Sequence, residues 1–228
     1  MKEIFLSKGI ELTKKQTDDF EEFKNLLLFY NQKFNITTIT DEREIYIKHF
    51  LDSAISKDYF KEKSSVIEIG SGGGFPSVPL KILRRDLSFK LVESTGKKCL
   101  FLKEVVKNLK LENVEVLNAR AEDLGKDKNY REKFDHVTAR AVARLNTLCE
   151  YCIPFIKVGG SFIALKGGLE EEILQAENAI KILGGKIGEI NKYELLEEGQ
   201  RTIIKIDKIS KTELKYPRGN GKERSKPL

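Results

Sequence analysis

A cluster of glycines lies between positions 66 and 76, where the chain reads Val66-Ile-Glu-Ile-Gly-Ser-Gly-Gly-Gly-Phe-Pro76. A β-branched run leads into the cluster and a helical pattern follows it, which predicts a strand, a tight turn and a helix. Glycines allow a backbone to turn sharply and to approach a ligand closely, and the first amides of the helix then point at that ligand. We therefore expect Gly70, Gly72 and Gly74 to bind a cofactor.

The side chains around the turn distinguish between cofactors. In the dinucleotide fingerprint G-x-G-x-x-G, the helix amides hold a pyrophosphate. Here the spacing is G-x-G-x-G, Phe75 follows it, and the acidic Glu68 precedes the turn. A carboxylate repels a phosphate dianion but attracts the ammonium and sulfonium groups of S-adenosylmethionine. The loop therefore favours S-adenosylmethionine, with Glu68 and Phe75 at the site.

Two further carboxylates fit the same cofactor. Glu93 ends the second predicted strand, where an acidic group can accept a ribose hydroxyl pair, although NAD sites share this spacing. Ala121 and Glu122 follow the third predicted strand. A backbone amide and a carboxylate there can receive the adenine ring nitrogen and amino group. A solvated acid that caps a helix explains Glu122 equally well.

Cationic side chains follow the next two predicted strands. Arg140 and Arg144 leave the fourth strand and Lys166 ends the fifth, at the carboxyl edge where open parallel sheets bind ligands. Arginine suits guanine edges and phosphates, so we expect all three to position the substrate, and Arg144 and Lys166 to contact RNA. Surface cations without a function are the alternative. His49 is expected to be structural or to face RNA.

No acid–base constellation accompanies these residues. Methylation of adenine N6 would be expected to show an Asn/Asp-Pro-Pro-aromatic run after the fourth strand, and the chain has none. Methylation of pyrimidine C5 needs a cysteine nucleophile, and Cys152 lies in a predicted helix. Guanine N7 carries no proton, so its lone pair can attack a sulfonium methyl group without a general base. The sequence is compatible with N7 chemistry and does not prove it.

A parallel sheet is needed to bring these residues together. From Ser65 onward, short β-branched runs alternate with helical stretches, the pattern of βαβ units. The predicted strands are Val66–Ile69, Phe89–Val92, Val114–Leu117, Phe134–Thr138 and Ser161–Leu165. The helices between and after them are predicted near Val78–Arg84, Lys97–Leu109, Arg144–Ile153 and Leu169–Leu183. An antiparallel hairpin, Lys192–Leu196 with Thr202–Ile206, is predicted around Gly199.

Two amphipathic helices are predicted before the sheet. Thr13 and Gln16 form a capping-box signal, apolar residues then recur at helical spacing as far as Phe34, and Asp41 is expected to cap the second helix. We therefore divide the chain into a helical extension (1–60), a cofactor-binding α/β domain (61–209) and a basic tail (210–228).

The composition is that of a globular protein. The chain has 228 residues, of which 40% are hydrophobic and 33% charged, which suits one α/β domain with appendages. It shows no apolar leader and no apolar run of ~18 residues, so we expect a cytoplasmic protein without a membrane segment. Cys149 and Cys152 form a C-x-x-C without a second pair, and neither histidine has zinc-finger spacing. We expect neither disulfides nor a metal.

The charge is concentrated at the end of the chain. Residues 208–228 carry +5 of the net +6, which indicates a polyanionic partner. We expect the last dozen residues to be disordered or loosely docked, and a solvated solubility tail is the alternative. The expected RNA contacts in this tail are Lys215, Tyr216 as a stacking platform, Arg218, Lys222, Arg224 and Lys226.

Several runs together resemble one known family. They are His49-Phe-Leu-Asp-Ser53, Glu68–Pro76, Arg120-Ala-Glu122, Thr138–Arg144, Ala164-Leu-Lys-Gly167 and Lys215-Tyr-Pro-Arg218. Over nearly the whole chain they resemble the bacterial 16S rRNA guanine-N7 methyltransferase family, also called glucose-inhibited division protein B. One departure is Glu93, where the family often has Asp.

The resemblance implies a class I methyltransferase fold. This is a Rossmann-like α/β fold with a seven-stranded sheet, mostly parallel with a C-terminal antiparallel hairpin, and here with an N-terminal helical extension. It implies S-adenosyl-L-methionine as cofactor, S-adenosyl-L-homocysteine as product, and 16S rRNA or the 30S particle as partner of a monomer. The cofactor contacts that it implies are Gly70, Phe75, Ala121, Glu122 and Arg140.

Three other functions remain open on the residues alone. A methyltransferase for small molecules or proteins would share the glycine loop but would not need the basic tail. An NAD-dependent oxidoreductase is disfavoured by Glu68 and Phe75. A non-catalytic RNA-binding module would keep its RNA affinity after the loop was destroyed. The residues alone do not identify the methylated nucleotide. Its identity as guanine comes only from the resemblance.

Overall fold

A seven-stranded sheet forms the centre of the protein, seen in a computed structural model that describes residues 1–167 and 170–228. The strands lie in the order β3-β2-β1-β4-β5-β7-β6. They are β1 Ser65–Ile69, β2 Ser88–Glu93, β3 Val114–Asn118, β4 Phe134–Arg140, β5 Ile156–Gly167, β6 Gly185–Glu194 and β7 Gln200–Lys208. Strands β1 to β5 run parallel, and β7 pairs antiparallel with β5 and β6. The predicted sheet and hairpin are confirmed, but β6 begins seven residues before the predicted Lys192 and ends two residues before the predicted Leu196.

The helices of the α/β region lie where the alternation predicts them. They are α5 Ser77–Leu83, α6 Gly96–Asn108, the short α7 Ala121–Leu124, α8 Leu145–Cys152 and α9 Glu170–Ile182. The predicted start of the last helix, Leu169, lies outside the described residues. Strand β5 begins at Ile156, five residues before its predicted start at Ser161, and it includes Gly159 and Gly160.

The N-terminal extension contains more helical pieces than predicted. An unpredicted α1, Lys2–Leu6, precedes α2, Lys14–Asn31, whose capping box is confirmed. Helix α2 ends before Phe34, because the side-chain carbonyl of Asn31 accepts the backbone amides of residues 36 and 37. The second predicted helix is a composite of α3 Glu42–Glu44, a π-helical segment Ile45–Leu51, α4 Asp52–Ala54 and a 3-10 turn Ile55–Tyr59.

Each face of the sheet is covered by its own apolar cluster. The N-terminal helices cover one face, where Phe20, Phe23 and Phe50 are fully buried and pack ring against ring. Helices α8 and α9 cover the other face with residues such as Leu148 and Ile180. Because large aromatic groups contribute much of a core's apolar burial, the extension is part of the fold.

The C-terminal segment is packed on the body, and the expectation of a loosely docked tail is wrong. Tyr216 is 7% exposed, and the chain ends with a short helix, α10 Lys222–Ser225. The guanidinium of Arg131 donates to the carbonyls of residues 125, 212, 213 and 216. The guanidinium of Arg218 meets the carboxylate of Glu150, which is 1% exposed. A buried carboxylate needs such a partner, so the tail completes the fold.

The sheet has one topological switch point. Strands β1 and β4 are neighbours, yet the chain continues from β1 to β2 on one side and from β4 to β5 on the other. In open α/β sheets the ligand crevice lies outside the carboxyl ends of the strands at such a point. The glycine loop follows β1, and Arg140 ends β4.

Candidate functional site

The glycine loop has the backbone shape that only glycine adopts readily. Gly70, Gly72 and Gly74 have φ values of +71°, +51° and +85°, in the left-handed region. A Cβ on Gly70 would lie 2.7 Å from Cγ2 of Val142, whereas a Cβ on Gly72 would meet only a carbonyl oxygen at 3.8 Å. Gly70 is therefore fixed by the fold, while Gly72 has open space beside it for a ligand.

Glu93 stabilises this loop. Its carboxylate accepts the backbone amide of Gly72 at 2.9 Å and that of Thr95 at 2.7 Å, and the residue is 7% exposed. A carboxylate has about four acceptor positions, so Glu93 retains capacity for ribose hydroxyls. Its expected ribose contact remains a prediction.

A cleft of about 390 Å³ lies next to the loop. Gly70 lines it on one side, and Ala121 and Glu122 of α7 line it further along. Three of the expected cofactor residues are therefore brought together. The sequence did not indicate that the tail residues Gly221 and Arg224 line the same cleft.

Glu68 lies beneath the loop and is fully buried. Neither of its carboxylate oxygens has a hydrogen-bond partner among the described residues. Burial raises the pKa of Glu68 to about 8, and the charge of Arg140 opposes the shift. An unpaired buried carboxyl next to a glycine turn fits a positively charged ligand, because a cation would favour the ionised form.

Phe75 lies in a compact cluster beyond the loop. The ring of His49 stacks on Phe75 with 4.3 Å between ring centroids, and the guanidinium carbon of Arg140 lies 5.0 Å from the Phe75 centroid. Arg140 also donates to Asp52 Oδ2 at 2.9 Å and to the carbonyl of Lys48 at 2.7 Å. The π-helical segment, a feature frequent at functional sites, supplies both His49 and this carbonyl.

His49 is held in its neutral form. An arginine only donates, so His49 Nδ1 accepts from Arg140 Nη2 at 3.1 Å and Nε2 carries the proton toward Thr37 Oγ1 at 2.9 Å. Burial and the nearby charge of Arg140 lower the pKa of His49 to about 3. Both ring nitrogens are therefore occupied and the ring does not titrate near neutral pH.

Arg140 lines a second cleft, of about 340 Å³. Its polar lining consists of Lys48, His49, Asp52, Arg140, Lys166 and Arg201. Asp52 is held from both sides, by Arg140 and by the hydroxyl of Tyr193 at 2.8 Å. Sequence reasoning did not select Lys48, Tyr193 or Arg201. The only available signal in the sequence was the quoted run His49–Ser53, which contains Asp52 and directly follows Lys48.

The other expected cations differ in availability. Arg144 is exposed at the start of α8, and its side chain has no ion-pair partner among the described residues. Lys166 is paired with Glu172 at 2.7 Å and donates to the carbonyl of Ala143 at 3.0 Å. Phosphate contact by Lys166 would therefore compete with an existing ion pair.

The tail cations divide in the same way. Tyr216 is buried and Arg218 is bound to Glu150, so neither is free to meet RNA while the tail is docked. Lys208 contributes to the +5 count, yet its side chain is fully buried and donates to the carbonyl of Leu183 at 3.0 Å. The exposed cations of the tail are Lys211, Lys215, Lys222, Arg224 and Lys226, and Lys215 is paired with the exposed Glu213 at 2.8 Å.

The described residues contain neither a metal-binding cluster nor a membrane-spanning helix. Within positions 1–167 and 170–228, no group of three or more His, Cys, Asp or Glu side chains is arranged to hold a metal ion. Over the same ranges, no helix combines the length and apolar character needed to cross a membrane.

The fold and the cleft define a class of protein. A methyltransferase from Aquifex aeolicus described as SAM dependent superimposes with a TM-score of 0.55 at 17% identity, over 75% of this chain and 96% of that one. M. jannaschii TYW2, solved in complex with AdoMet, gives a TM-score of 0.55 at 16% identity, over 70% and 76% of the two chains. This is the class I methyltransferase fold, the class whose cofactor is S-adenosylmethionine.

The sequence comparisons identify the family within this class. The family model described as rRNA small subunit methyltransferase G matches residues 16–204. The protein named ribosomal RNA small subunit methyltransferase G from Brevibacillus brevis is 48% identical, over 99% of this chain and 97% of its own length. Its namesake from Lactobacillus johnsonii is 45% identical, over 96% and 95%. The chain belongs to the rRNA small subunit methyltransferase G family.

Proposed function

We propose that this chain methylates N7 of a guanine in the RNA of the small ribosomal subunit. S-adenosylmethionine supplies the methyl group as an electrophile on its sulfonium sulfur. Gly70, Ala121 and Glu122 hold the cofactor in the first cleft, with Gly72 and Gly74 shaping the loop and Glu93 at the ribose. The guanine enters beside Arg140, which lines the second cleft.

The state of the candidate bases carries this proposal. Among the described side chains that line the second cleft, His49 and Asp52 are the groups able to take a proton. His49 already uses both ring nitrogens, and Asp52 is held between Arg140 and Tyr193. Guanine N7 has an in-plane lone pair and no proton to lose. This arrangement therefore supports direct attack on the methyl group without an obligatory general base.

The task of the protein is then alignment and exclusion of water. Positioning alone can contribute ~7–11 kcal/mol to lowering a barrier. Arg140 is suited to such a task, because Asp52, the Lys48 carbonyl, His49 and Phe75 fix its guanidinium. These bonds use Nη1 twice and Nη2 once, which leaves Nε–H and the second Nη2 hydrogen as donors for a guanine edge.

Contacts with the rest of the RNA are assigned to exposed cations. Arg144 lies at the carboxyl edge of the sheet, and Lys215, Lys222 and Lys226 lie along the tail. Lys166 and His49 line the second cleft, where His49 is buried and Lys166 would have to leave Glu172 to contact a phosphate. The substrate is 16S rRNA or a 30S particle, and the enzyme acts as a monomer in the cytoplasm.

Mapping of modified nucleosides tests the proposal. Small-subunit rRNA from cells with and without this gene is digested and analysed by mass spectrometry. One 7-methylguanosine present only when the gene is present is the expected result. Loss of another methylated nucleoside, or of none, would overturn the proposed target.

A further inference from the structure

The last helical turn of the chain forms part of the wall of the cofactor cleft. Gly221 and Arg224 line this cleft together with Glu122 and Tyr151. The docked tail therefore reaches the end of the cleft formed by α7.

Several long-range contacts fix the tail in this place. The guanidinium of Arg131 donates to the carbonyl of Tyr216 at 2.6 Å and to that of Thr212 at 2.7 Å. The backbone amide of Arg218 donates to Glu150 Oε1 at 2.8 Å, and its guanidinium donates to Glu150 Oε2 at 2.7 Å. Bidentate pairing of this kind adds geometric definition as well as energy.

Helix α10 itself is tied to the body at its centre. Glu223 is fully buried, its carbonyl accepts the hydroxyl of Thr147 at 2.9 Å, and its carboxylate accepts the amide of Gly219. The two basic residues that flank Glu223 differ in their position relative to the cleft. Arg224 is exposed and lines the cleft, whereas Lys222 is exposed and does not line it.

The surroundings of Arg224 suit an aromatic ligand. Arg224 lines the cleft beside Tyr151 and next to Ala121 and Glu122. The other arginine at the cleft, Arg120, lies 3.7 Å from Glu122. A guanidinium is planar and delocalised, and it packs on the faces of aromatic rings.

We propose that Arg224 is a cofactor-binding residue whose guanidinium packs on the adenine of S-adenosylmethionine beside Ala121 and Glu122. The tail is then a part of the cofactor site. This inference rests on the same cofactor cleft as the proposed function, and it does not depend on which nucleotide is methylated.

Two single substitutions in the full-length protein test it. Arg224→Ala removes the proposed contact, and Lys222→Ala removes an equal charge from the same helix away from the cleft. Calorimetric titrations without RNA use S-adenosylmethionine and 5′-methylthioadenosine, which keeps the adenine and lacks the amino-acid part. Arg224→Ala should weaken both ligands by roughly 3- to 30-fold. Lys222→Ala should leave both affinities within about two-fold, since it lies outside the cleft.

A third variant, Arg224→Lys, keeps the charge and removes the planar group. It should recover little of the lost affinity, and full recovery would overturn packing on adenine. Cofactor affinity within two-fold of the wild type in Arg224→Ala would overturn the whole inference, whatever happens to RNA binding. If wild-type protein binds the cofactor but methylates a different position, only the proposed function fails.

Discussion

Substitution of Gly70 by alanine should damage the cofactor cleft while the sheet stays folded. At a φ of +71°, an L residue costs ~1–2 kcal/mol. The added Cβ would lie 2.7 Å from Cγ2 of Val142, and overpacking of this kind costs ~1–3 kcal/mol. We therefore expect the free energy of unfolding to fall by ~2–5 kcal/mol. Because both residues line the cleft, displacement of Val142 should also weaken S-adenosylmethionine binding by roughly ten-fold or more.

A double-mutant cycle separates the two costs. Val142→Ala removes the methyl group that the new Cβ meets, so the Gly70→Ala/Val142→Ala protein should regain the steric share, ~1–3 kcal/mol, and keep the conformational share. Gly72→Ala is the matched control for stability alone, because its φ is +51° and the nearest atom to an added Cβ is 3.8 Å away, whereas that Cβ would enter the space left for the ligand. Thermal unfolding and calorimetric titration measure both effects. Unchanged cofactor affinity in Gly70→Ala, or no recovery in the double variant, would refute the proposed link between the packing of Gly70 on Val142 and the shape of the cofactor cleft.

Three further predictions concern protons and charge. With saturating cofactor, the single-turnover methylation rate should be nearly flat between about pH 6 and 8, because the pKa of His49 is lowered to about 3; a tenfold rise that His49→Ala abolishes would contradict this. Glu68 has a pKa of about 8 in the folded protein, against an ordinary value of 4.5. Between pH 4.5 and 8 the folded state therefore binds more protons than the unfolded state. The free energy of unfolding should fall as pH rises through this range, by up to ~1.4 kcal/mol per pH unit. Glu68→Gln should flatten this decline in thermal unfolding, and equal pH slopes for the two proteins would show that Glu68 is already ionised. Replacing Lys222 and Lys226 with alanine should reduce the slope of log RNA affinity against log salt by ~0.7–0.9 for each lost phosphate contact, and an unchanged slope would remove these lysines from the RNA surface.

The sheet and the glycine loop could be predicted because their signals are local. β-branched runs, the spacing of Gly70, Gly72 and Gly74, and the capping box at Thr13 each describe a few consecutive residues. The same holds for Ala121 and Glu122, which follow a predicted strand and do lie at the cleft. Such local signals do not predict the direction in which a side chain points. The sequence therefore predicted Glu68 near the cofactor but did not show that its carboxyl is fully buried beneath the loop, and its cofactor contact remains a prediction.

The position of the tail could not be predicted, because its contacts join residues far apart in the chain. Its glycines, lysines and prolines are typical of a solvated segment. The contacts that hold it are made by Arg131 and Glu150, which look like ordinary surface charges in the sequence. The count of tail cations also included Lys208 and Arg218, which bind protein groups.

The second cleft was only partly visible for a similar reason. Arg140 was found because it ends a strand at the carboxyl edge of the sheet. Asp52 comes from a helix, and Tyr193 comes from the hairpin. Their hydrogen bond crosses between elements distant in the chain, and no spacing rule connects them.

The most direct test of the account uses RNA in which guanosine is replaced by 7-deazaguanosine, which has carbon in place of N7. Purified protein is incubated with labelled S-adenosylmethionine and with small-subunit RNA, free or in 30S particles, in normal and substituted forms. Normal RNA should become labelled and the label should be recovered as 7-methylguanosine, while the substituted RNA should remain unlabelled. Label in the substituted RNA, or label recovered in any other nucleoside, would contradict attack by guanine N7.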